Sequence, residues 1–304
     1  MIRMHALRVF VAVADCGNIR DAAEALGRTA SAVSMTLKQL EAHLAAPLFE
    51  ADRKHRLTPL GEEVRELARD MLNEHQRTTE RIAAIAAGRE GTLRVAAVPS
   101  VAAQLLPPLL TAMLDEHRSV RIELLDTDSA SVHMLVDKGA VELGIGGRPE
   151  HGAGLHFVPV FDDPFRLVCR KDHPLARVTA PLRRADLRGH RLIGNKSTAG
   201  ISDLFDENPK GEPTLSARNV ISLMALVRAG AGATILPALA THALDDALCS
   251  LALNDPSAMR TVGFIQRQNR TPSPICRAFQ TRFLKHLRAS GIAGMSLKRD
   301  DDGR

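Results

Sequence analysis

Tryptophan and tyrosine are missing from this sequence of 304 residues, and nine phenylalanines are its whole aromatic complement. Single-strand binding by stacking bases on aromatic rings is therefore disfavoured. Cysteine is scarce too, with Cys16, Cys169, Cys249 and Cys276 far apart in the chain. No C-x-x-C pair and no Cys/His cluster occurs, and the twelve histidines show no ligand spacing. A zinc knuckle or disulfide framework is thereby excluded, and the expectation is no metal and no cofactor. The thiols read as isolated, reduced and mostly buried. Long apolar runs are lacking as well. The charge-free stretch from Ala229 to Leu244 is too broken by glycine and proline to span a bilayer. Met1-Ile2-Arg3-Met4-His5 has no apolar core of a signal peptide. A cytoplasmic protein without a membrane partner is expected.

What remains is a globular composition, 45% apolar and 25% charged, long enough for two or three compact units. The net charge is +5, but its placement does not nominate a nucleic-acid surface. Residues 1–58 hold eight basic and six acidic side chains, and residues 59–90 hold five and seven. The excess lies beyond residue 90, so pattern has to locate function where bulk charge does not.

Pattern is strongest near the start. Leu7, Phe10, Val11 and Ala14 recur at the spacing of an amphipathic helix over about 5–14, which Gly17 can end. A short helix over about 21–26 carries Ala22, Ala23 and Leu26 on one face. After the turn Leu26-Gly27-Arg28, Thr29 is a plausible N-cap for a longer helix on which Ala30, Val33, Leu37, Leu40 and Leu44 form the apolar stripe. A short helix, a glycine-containing turn and a longer helix make a helix-turn-helix unit, whose second helix can enter the major groove. Thr29, Ser31, Ser34, Met35 and Lys38 are its candidate DNA-facing residues. Any three-helix packing would satisfy the apolar spacing alone. The run Asp52-Arg53-Lys54-His55-Arg56 favours DNA, because Arg53, Lys54 and Arg56 in a hairpin-like loop beside a recognition helix suit phosphate or minor-groove contact.

These residues resemble the winged helix-turn-helix of the LysR-type transcriptional regulators. The matching segments are Leu7-Arg8-Val9-Phe10-Val11-Ala12-Val13-Ala14, Ala22-Ala23-Glu24-Ala25-Leu26 and Ala32-Val33-Ser34. They continue with Leu40-Glu41-Ala42-His43-Leu44, Pro47-Leu48-Phe49 and Leu57-Thr58-Pro59-Leu60-Gly61. Departures are equally specific. Arg20 stands where the family commonly has Ser or Thr, which passes the capping of the second helix to Asn18. Ala30, Met35 and Ala51 stand where the family often has polar or cationic residues. Fewer polar readers remain, so methyl contacts and DNA shape carry more of the specificity.

A helix that starts at Pro59, with Glu62 and Glu63 in its first turns, then meets no breaker until Gly88, which predicts a helix over 59–87 about 43 Å long. Val64, Leu67, Met71, Thr78, Ile82 and Ile85 form a narrow stripe that suits a two-helix seam. Solvent bridging held by pairs such as Glu62–Arg65 and Glu66–Arg69 is the competing reading. The resemblance implies dimerisation through this helix, in a homodimer or homotetramer, followed by a short hinge at residues 88–91.

Beyond Thr92 strands alternate with helices: a strand over 93–98, a helix over 100–117, a strand over 120–126, a helix over 129–138 and a strand over 141–146. That alternation predicts a mostly parallel sheet with helices on both faces. A second set begins near Phe157 and includes a strand over 165–170, a helix after Thr198, and Asn219–Ala229 leading into Ala233–Leu236. A last helix over about 274–289 returns to the first set, and residues 291–304 read as a disordered tail. Gly91-Thr92-Leu93-Arg94-Val95, Gly139-Ala140-Val141-Glu142-Leu143-Gly144-Ile145, Asp172-His173-Pro174-Leu175-Ala176 and Val227-Arg228-Ala229-Gly230-Ala231-Gly232-Ala233 resemble the same family's periplasmic-binding-protein-like effector domain.

The fold class expected is thus α/β: an N-terminal winged helix-turn-helix (1–58), a long linker helix and hinge (59–90), and an effector domain of two α/β subdomains (91–304). Subdomain I takes about 91–160 and 267–290, and subdomain II about 161–266. Ligands in such sheets sit at the carboxyl ends of strands. Ser100 and Ser129 stand at two strand-to-helix junctions, Ser197-Thr198 at a third, and each hydroxyl is equally able to cap its own helix. The resemblance places Ser100, Ser129, Thr198 and Val220 in the effector-binding cleft, where hydroxyls and helix N-termini favour a small anion. It implies double-stranded DNA, a small-molecule inducer and RNA polymerase as partners.

An enzyme is the competing class, and its signatures fail. Gly144-Ile145-Gly146-Gly147 runs into Arg148-Pro149 and not into a helix, so the dinucleotide fingerprint is not met. No G-x-x-x-x-G-K-[ST], G-x-S-x-G or H-E-x-x-H occurs, and Asp162-Asp163 and Asp245-Asp246 read as solvated or capping pairs. The function expected is operator binding governed by a small-molecule inducer. The alternative is a constitutive regulator with a vestigial cleft.

Overall fold

The computed structural model describes residues 1–50, 53–117, 119–149, 154–179, 181–195, 214–290 and 296–297. They fall into two compact units, Met1–Ala84 and Ile85–Arg304. Among the described residues no helix is long and apolar enough to cross a membrane.

The first unit begins with α1 (Met4–Cys16), α2 (Ile19–Ala25) and α3 (Ala30–Leu44). Local chemistry sets each boundary. Gly17 ends α1 at φ 72°, a conformation that glycine adopts without a Cβ penalty. Asn18 caps α2, its Oδ1 accepting from the Asp21 amide at 2.8 Å. Thr29 caps α3 by accepting from the Ala32 amide at 3.3 Å. Val9, Phe10, Val13, Ala22, Ala23, Val33, Leu37 and Leu40 close the core with Leu48 and Phe49.

Glu41 then turns the chain back: its Oε1 accepts the amides of Leu48 and Phe49 at 2.8 and 3.4 Å. A hairpin follows, β1 (Phe49–Glu50) antiparallel to β2 (Arg53–Leu57). Here the cations Arg53, Lys54 and Arg56 lie on a strand of the hairpin and not in its loop, because Leu57 pairs with Phe49 and Arg53 with Glu50.

Next comes α4 (Pro59–Ala86). The Thr58 hydroxyl accepts from the Gly61 amide and donates to the Pro47 carbonyl, both at 3.0 Å. Gly61 has no room for a side chain, since a Cβ there would lie 2.1 Å from the Leu48 carbonyl oxygen. The first turns of α4 face the core through Gly61, Val64 and Ala68. Arg69 pairs with Asp15 of α1 at 2.6 Å and not with Glu66. Farther along, Leu67, Met71 and Ile82 stay exposed, Leu67 at 69%.

In the second unit β3 (Gly91–Ala97) is parallel to both β4 (Val120–Asp126) and β5 (Leu143–Gly147). Between β3 and β4 the expected single helix is two, α5 (Pro99–Gln104) and α6 (Leu106–Glu116). Pro107 and Pro108 explain the break: a ring without N–H is tolerated in a first turn and clashes inside a helix. Between β4 and β5 lies α7 (Ser129–Asp137).

The sheets are less parallel than the alternation predicted. The 16-residue strand β6 (Leu155–Arg170) runs through both subdomains. Its first half is antiparallel to β11 (Met259–Arg267), which is also antiparallel to β5. Its second half is antiparallel to β9 (Ala233–Pro237) and β10 (Leu248–Ala252). Beyond β9 lie β7 (Leu192–Gly194) and β8 (Leu215–Ser216), all three parallel. The helix α8 (Val220–Arg228) connects β8 to β9. Return to the first subdomain comes with β11, earlier than the boundary at residue 267, because Val262–Ile265 ladder with β5.

Val160, Phe161, Val262 and Phe264 belong to the first subdomain's core, which Phe279 and Phe283 of α9 (Pro274–Ser290) complete. In the second half of β6, Phe165, Leu167 and Cys169 belong to one core of the other subdomain, and Val168 belongs to a second with Ile193, Leu223 and Val227. The last segment is not wholly a loose tail: β12 (Ser296–Leu297) pairs with β6. Residues 291–295 and 298–304 lie outside the described residues.

Candidate nucleic-acid interface and effector site

The polar face of α3 begins at its cap. Thr29 and Ser31 are exposed, with their hydroxyl oxygens 3.1 Å apart. One turn on, Ser34 is half-buried, Met35 is 61% exposed and Lys38 is exposed. Helical geometry alone brings these together, since residues three and four apart share a face. Arg56 is exposed on β2. The side chains of Arg53 and Lys54 lie outside what is described, as do the residues Ala51 and Asp52. Met35 supplies an apolar, flexible surface, which suits contact with thymine methyl groups.

In the effector domain β3, β4 and β5 end at the same edge of a parallel sheet, and Ser100 and Ser129 follow the first two of these strands. Neither hydroxyl caps its helix. The N-cap of α5 is Val98, which offers no side-chain bond. On α7 the cap is Asp128, which accepts from the Ser131 amide at 3.0 Å. Ser129 Oγ instead accepts from the Gly147 amide at 3.4 Å, while His133 Nε2 meets the Gly147 carbonyl at 2.9 Å. Both backbone polar groups of Gly147, at the end of β5, are thereby engaged by side chains of α7. Val220 opens α8, capped by Asn219 through the Ile221 amide at 2.7 Å. Its side chain packs on a core that includes Val168, Ile193 and Leu223. Thr198 and Ser197 lie outside the described residues.

Ser100 belongs to a buried network that its sequence position does not disclose. Arg260 Nη2 donates to Ser100 Oγ at 2.7 Å and to Asp163 Oδ2 at 2.7 Å, and Arg260 Nε reaches the same carboxylate oxygen at 3.1 Å. Asp163 Oδ1 accepts from the Leu239 amide at 3.1 Å. Asp163 is fully buried and the Arg260 side chain is 14% exposed. Burial works to lower the Arg260 pKa, and the Asp163 charge and hydrogen bond oppose it. The reading of Asp163 as a solvated or capping carboxylate is therefore corrected. Its neighbour Asp162 accepts from Thr261 Oγ1 at 2.6 Å, and Asp245 forms an exposed ion pair with Arg228.

The network joins α5, the strand crossing at β6 and β11, and the short turn of helix at Ala238–Thr241. Leu239 itself fills the first subdomain's core. An effector that uses Ser100 therefore meets a hydroxyl whose acceptor side is already engaged by a guanidinium. A serine, an aspartate and an arginine separated this widely in sequence carry no spacing signal.

A second pairing also escaped the spacing. Cys169 and Cys249 are not isolated: they face each other across β6 and β10, with sulfurs 3.7 Å apart. All four thiols are free, with Cys16 exposed and Cys276 buried. Among the described residues no group of three His, Cys, Asp or Glu side chains could hold a metal ion.

Comparison with known proteins bears on both units. Residues 4–62 match the family model described as bacterial regulatory helix-turn-helix protein, lysR family, and residues 86–288 match the LysR substrate binding domain. The uncharacterised HTH-type transcriptional regulator YbhD of Escherichia coli (strain K12) is 26% identical over 283 residues, 91% of this chain and 89% of its own. A probable hydrogen peroxide-inducible genes activator of Streptomyces viridosporus is 31% identical over 238 residues, 76% of each chain. Among solved structures, full-length CbnR complexed with its target DNA superposes with a TM-score of 0.71 at 24% identity, covering 94% of this chain and 99% of that one.

Proposed function

The chain belongs to the LysR family of DNA-binding transcription regulators, and on that premise we propose that α3 and the β1–β2 hairpin bind an operator while a small anionic inducer in the effector domain sets the response. Regulators and not enzymes make up the family, in accord with the failed catalytic signatures. Thr29, Ser31, Ser34, Met35 and Lys38 present α3 to the major groove, and Arg53, Lys54 and Arg56 on the hairpin meet the backbone. Ser100, Ser129, Thr198 and Val220 line the inducer's site.

The observation that carries this reading is that Ser100 and Ser129, at one sheet edge, leave the capping of their helices to other groups or to none. Hydroxyls released from capping can serve a ligand, and helix N-termini at that edge favour negative charge. The exposed stripe of Leu67, Met71 and Ile82 on α4 supports self-association, since a stripe this narrow suits a two-helix seam. A homodimer or homotetramer so formed would span two half-sites, and contact with RNA polymerase would follow on the promoter.

Genome-wide mapping of bound sites supplies the operator, and the adjacent genes narrow the inducer to a chemical class. On that operator Arg53→Ala is expected to weaken binding on all sequences and to lower the salt slope by about one unit. Ser34→Ala should weaken the specific complex more than the non-specific one. Unchanged affinity in both folded variants overturns the placement of helix and hairpin. Small carboxylates are then screened for relief or gain of transcription. A response that no compound and no Ser129→Ala substitution moves returns the protein to the constitutive alternative.

A further inference from the structure

Neither operator binding nor the inducer site makes use of Cys169 and Cys249. They occupy directly opposed positions on the antiparallel strands β6 and β10, and their sulfurs stand 3.7 Å apart. Cys169 is buried and Cys249 is half-buried, so solvent reaches the pair from the β10 side. Opposed residues of an antiparallel pair carry Cβ atoms about 4.5–5.5 Å apart, close to the roughly 3.5–4.5 Å that a disulfide spans. Bond formation therefore needs small side-chain rotations and a slight closing of two strands already held by their ladder.

We propose that Cys169 and Cys249 form a reversible dithiol–disulfide couple whose oxidant is a low-molecular-weight disulfide. Cys249 enters first. As a thiolate it attacks one sulfur of the small disulfide, the Cys249–small-thiol bond forms, and the other small thiolate leaves. Cys169 then gives up its proton and attacks the Cys249 sulfur, the protein disulfide forms, and the second small thiolate leaves. Two protein thiols are oxidised and one small disulfide is reduced to two thiols, which take up the two protons released.

Burial and the neighbouring sulfur push the Cys169 thiol up to about 12, which fits this order, with the less buried partner reacting first. The second step is intramolecular between strand neighbours, which offsets the small thiolate fraction. The new bond closes a loop from β6 to β10 that contains β7, β8, α8 and β9. Most of the second subdomain, including Val220, is then stapled into one unit.

Incubating the full-length protein with glutathione disulfide tests the couple. After blocking of free thiols and proteolysis, mass spectrometry is expected to show the Cys169 peptide joined to the Cys249 peptide, lighter by two hydrogens and separated by dithiothreitol. Exposed Cys16 should carry glutathione and serves as the internal control of reactivity. Cys169→Ala should trap glutathione on Cys249, whereas Cys249→Ala should leave Cys169 unmodified. The oxidised protein should melt several degrees higher, as expected for a cross-link across a long loop. Full modification of Cys16 with Cys169 and Cys249 both still blockable would overturn the proposal. So would modification of Cys169 at an undiminished rate in Cys249→Ala. The central measurement uses the unmutated chain and does not depend on a variant folding.

Discussion

The candidate DNA-binding residues of one unit and the buried polar network of the other lie at opposite extremes of sequence separation. In the DNA-binding unit the candidate residues run from Thr29 to Arg56, one helix and one hairpin. In the effector unit the buried network gathers Ser100, Asp163, Leu239 and Arg260 from α5, two strands and a turn far along the chain. A helix face is set by a period of 3.6 residues, so neighbours in function are near neighbours in sequence. Strand crossings bring together whatever their registers oppose, and no period announces the partner.

Asp163 offers the largest test of that contrast. Asp163→Ala leaves the Arg260 guanidinium buried without its carboxylate, which costs about 3–5 kcal/mol in comparable broken pairs. Calorimetry of the full chain should show the effector transition falling sharply and the DNA-binding transition unmoved. Equal displacement of both would mean that the units do not keep separate stabilities. Simultaneous replacement of Asp163 and Arg260 by apolar residues should recover part of the loss, because no lone charge then remains.

In the other unit the counterpart is Gly61→Ala. Its Cβ would fall 2.1 Å from the Leu48 carbonyl oxygen, and backbone must shift to admit it, at a cost on the order of 1–3 kcal/mol. Here the DNA-binding transition should fall, operator affinity should weaken through the displaced hairpin, and the effector transition should stay. An unchanged affinity would show that the hairpin's position does not matter to binding.

The smallest effect concerns His173, where two histidines from separate segments meet. Its ring lies 5.1 Å from that of His190, and its Nδ1 accepts from the Leu175 amide at 3.2 Å. Burial first, and then His190, hold its pKa below the ordinary histidine value, against the opposing pull of Asp172. A depressed pKa means that the folded state resists the proton. The stability contributed is present above about pH 6.5 and is lost as pH falls below it. Melting of the effector unit should therefore decline with acid more steeply in the wild type than in His173→Gln. Parallel declines would remove His173 as the cause.

Legibility followed the same division. Asn18 and Thr29 cap the helices anticipated for them, because a cap is a bond between residues two or three apart. The stripe on α4 was legible as a pattern, but Val64 turned inward to the helix-turn-helix core while Leu67, Met71 and Ile82 stayed exposed. At Pro107-Pro108 the expected helix divided in two, a break the two prolines announce on inspection. The place of β11 beside β5 and the meeting of Cys169 with Cys249 have no local signal, for a common reason. Strand pairing of β11 with β5, and of β10 with β6, is a long-range choice.

The amino-acid order by itself determined the helix-turn-helix, its caps, the long helix after Pro59 and the alternation of strands and helices, since each rests on contacts within a few residues or on a repeating period. Tertiary structure alone decided that Ser100 would share a guanidinium with Asp163, that Ser129 would hold the end of β5 and not its own helix, and that Cys169 would face Cys249. Those outcomes depend on strand register and on which side chains lose water together, and both are fixed only when distant segments pack.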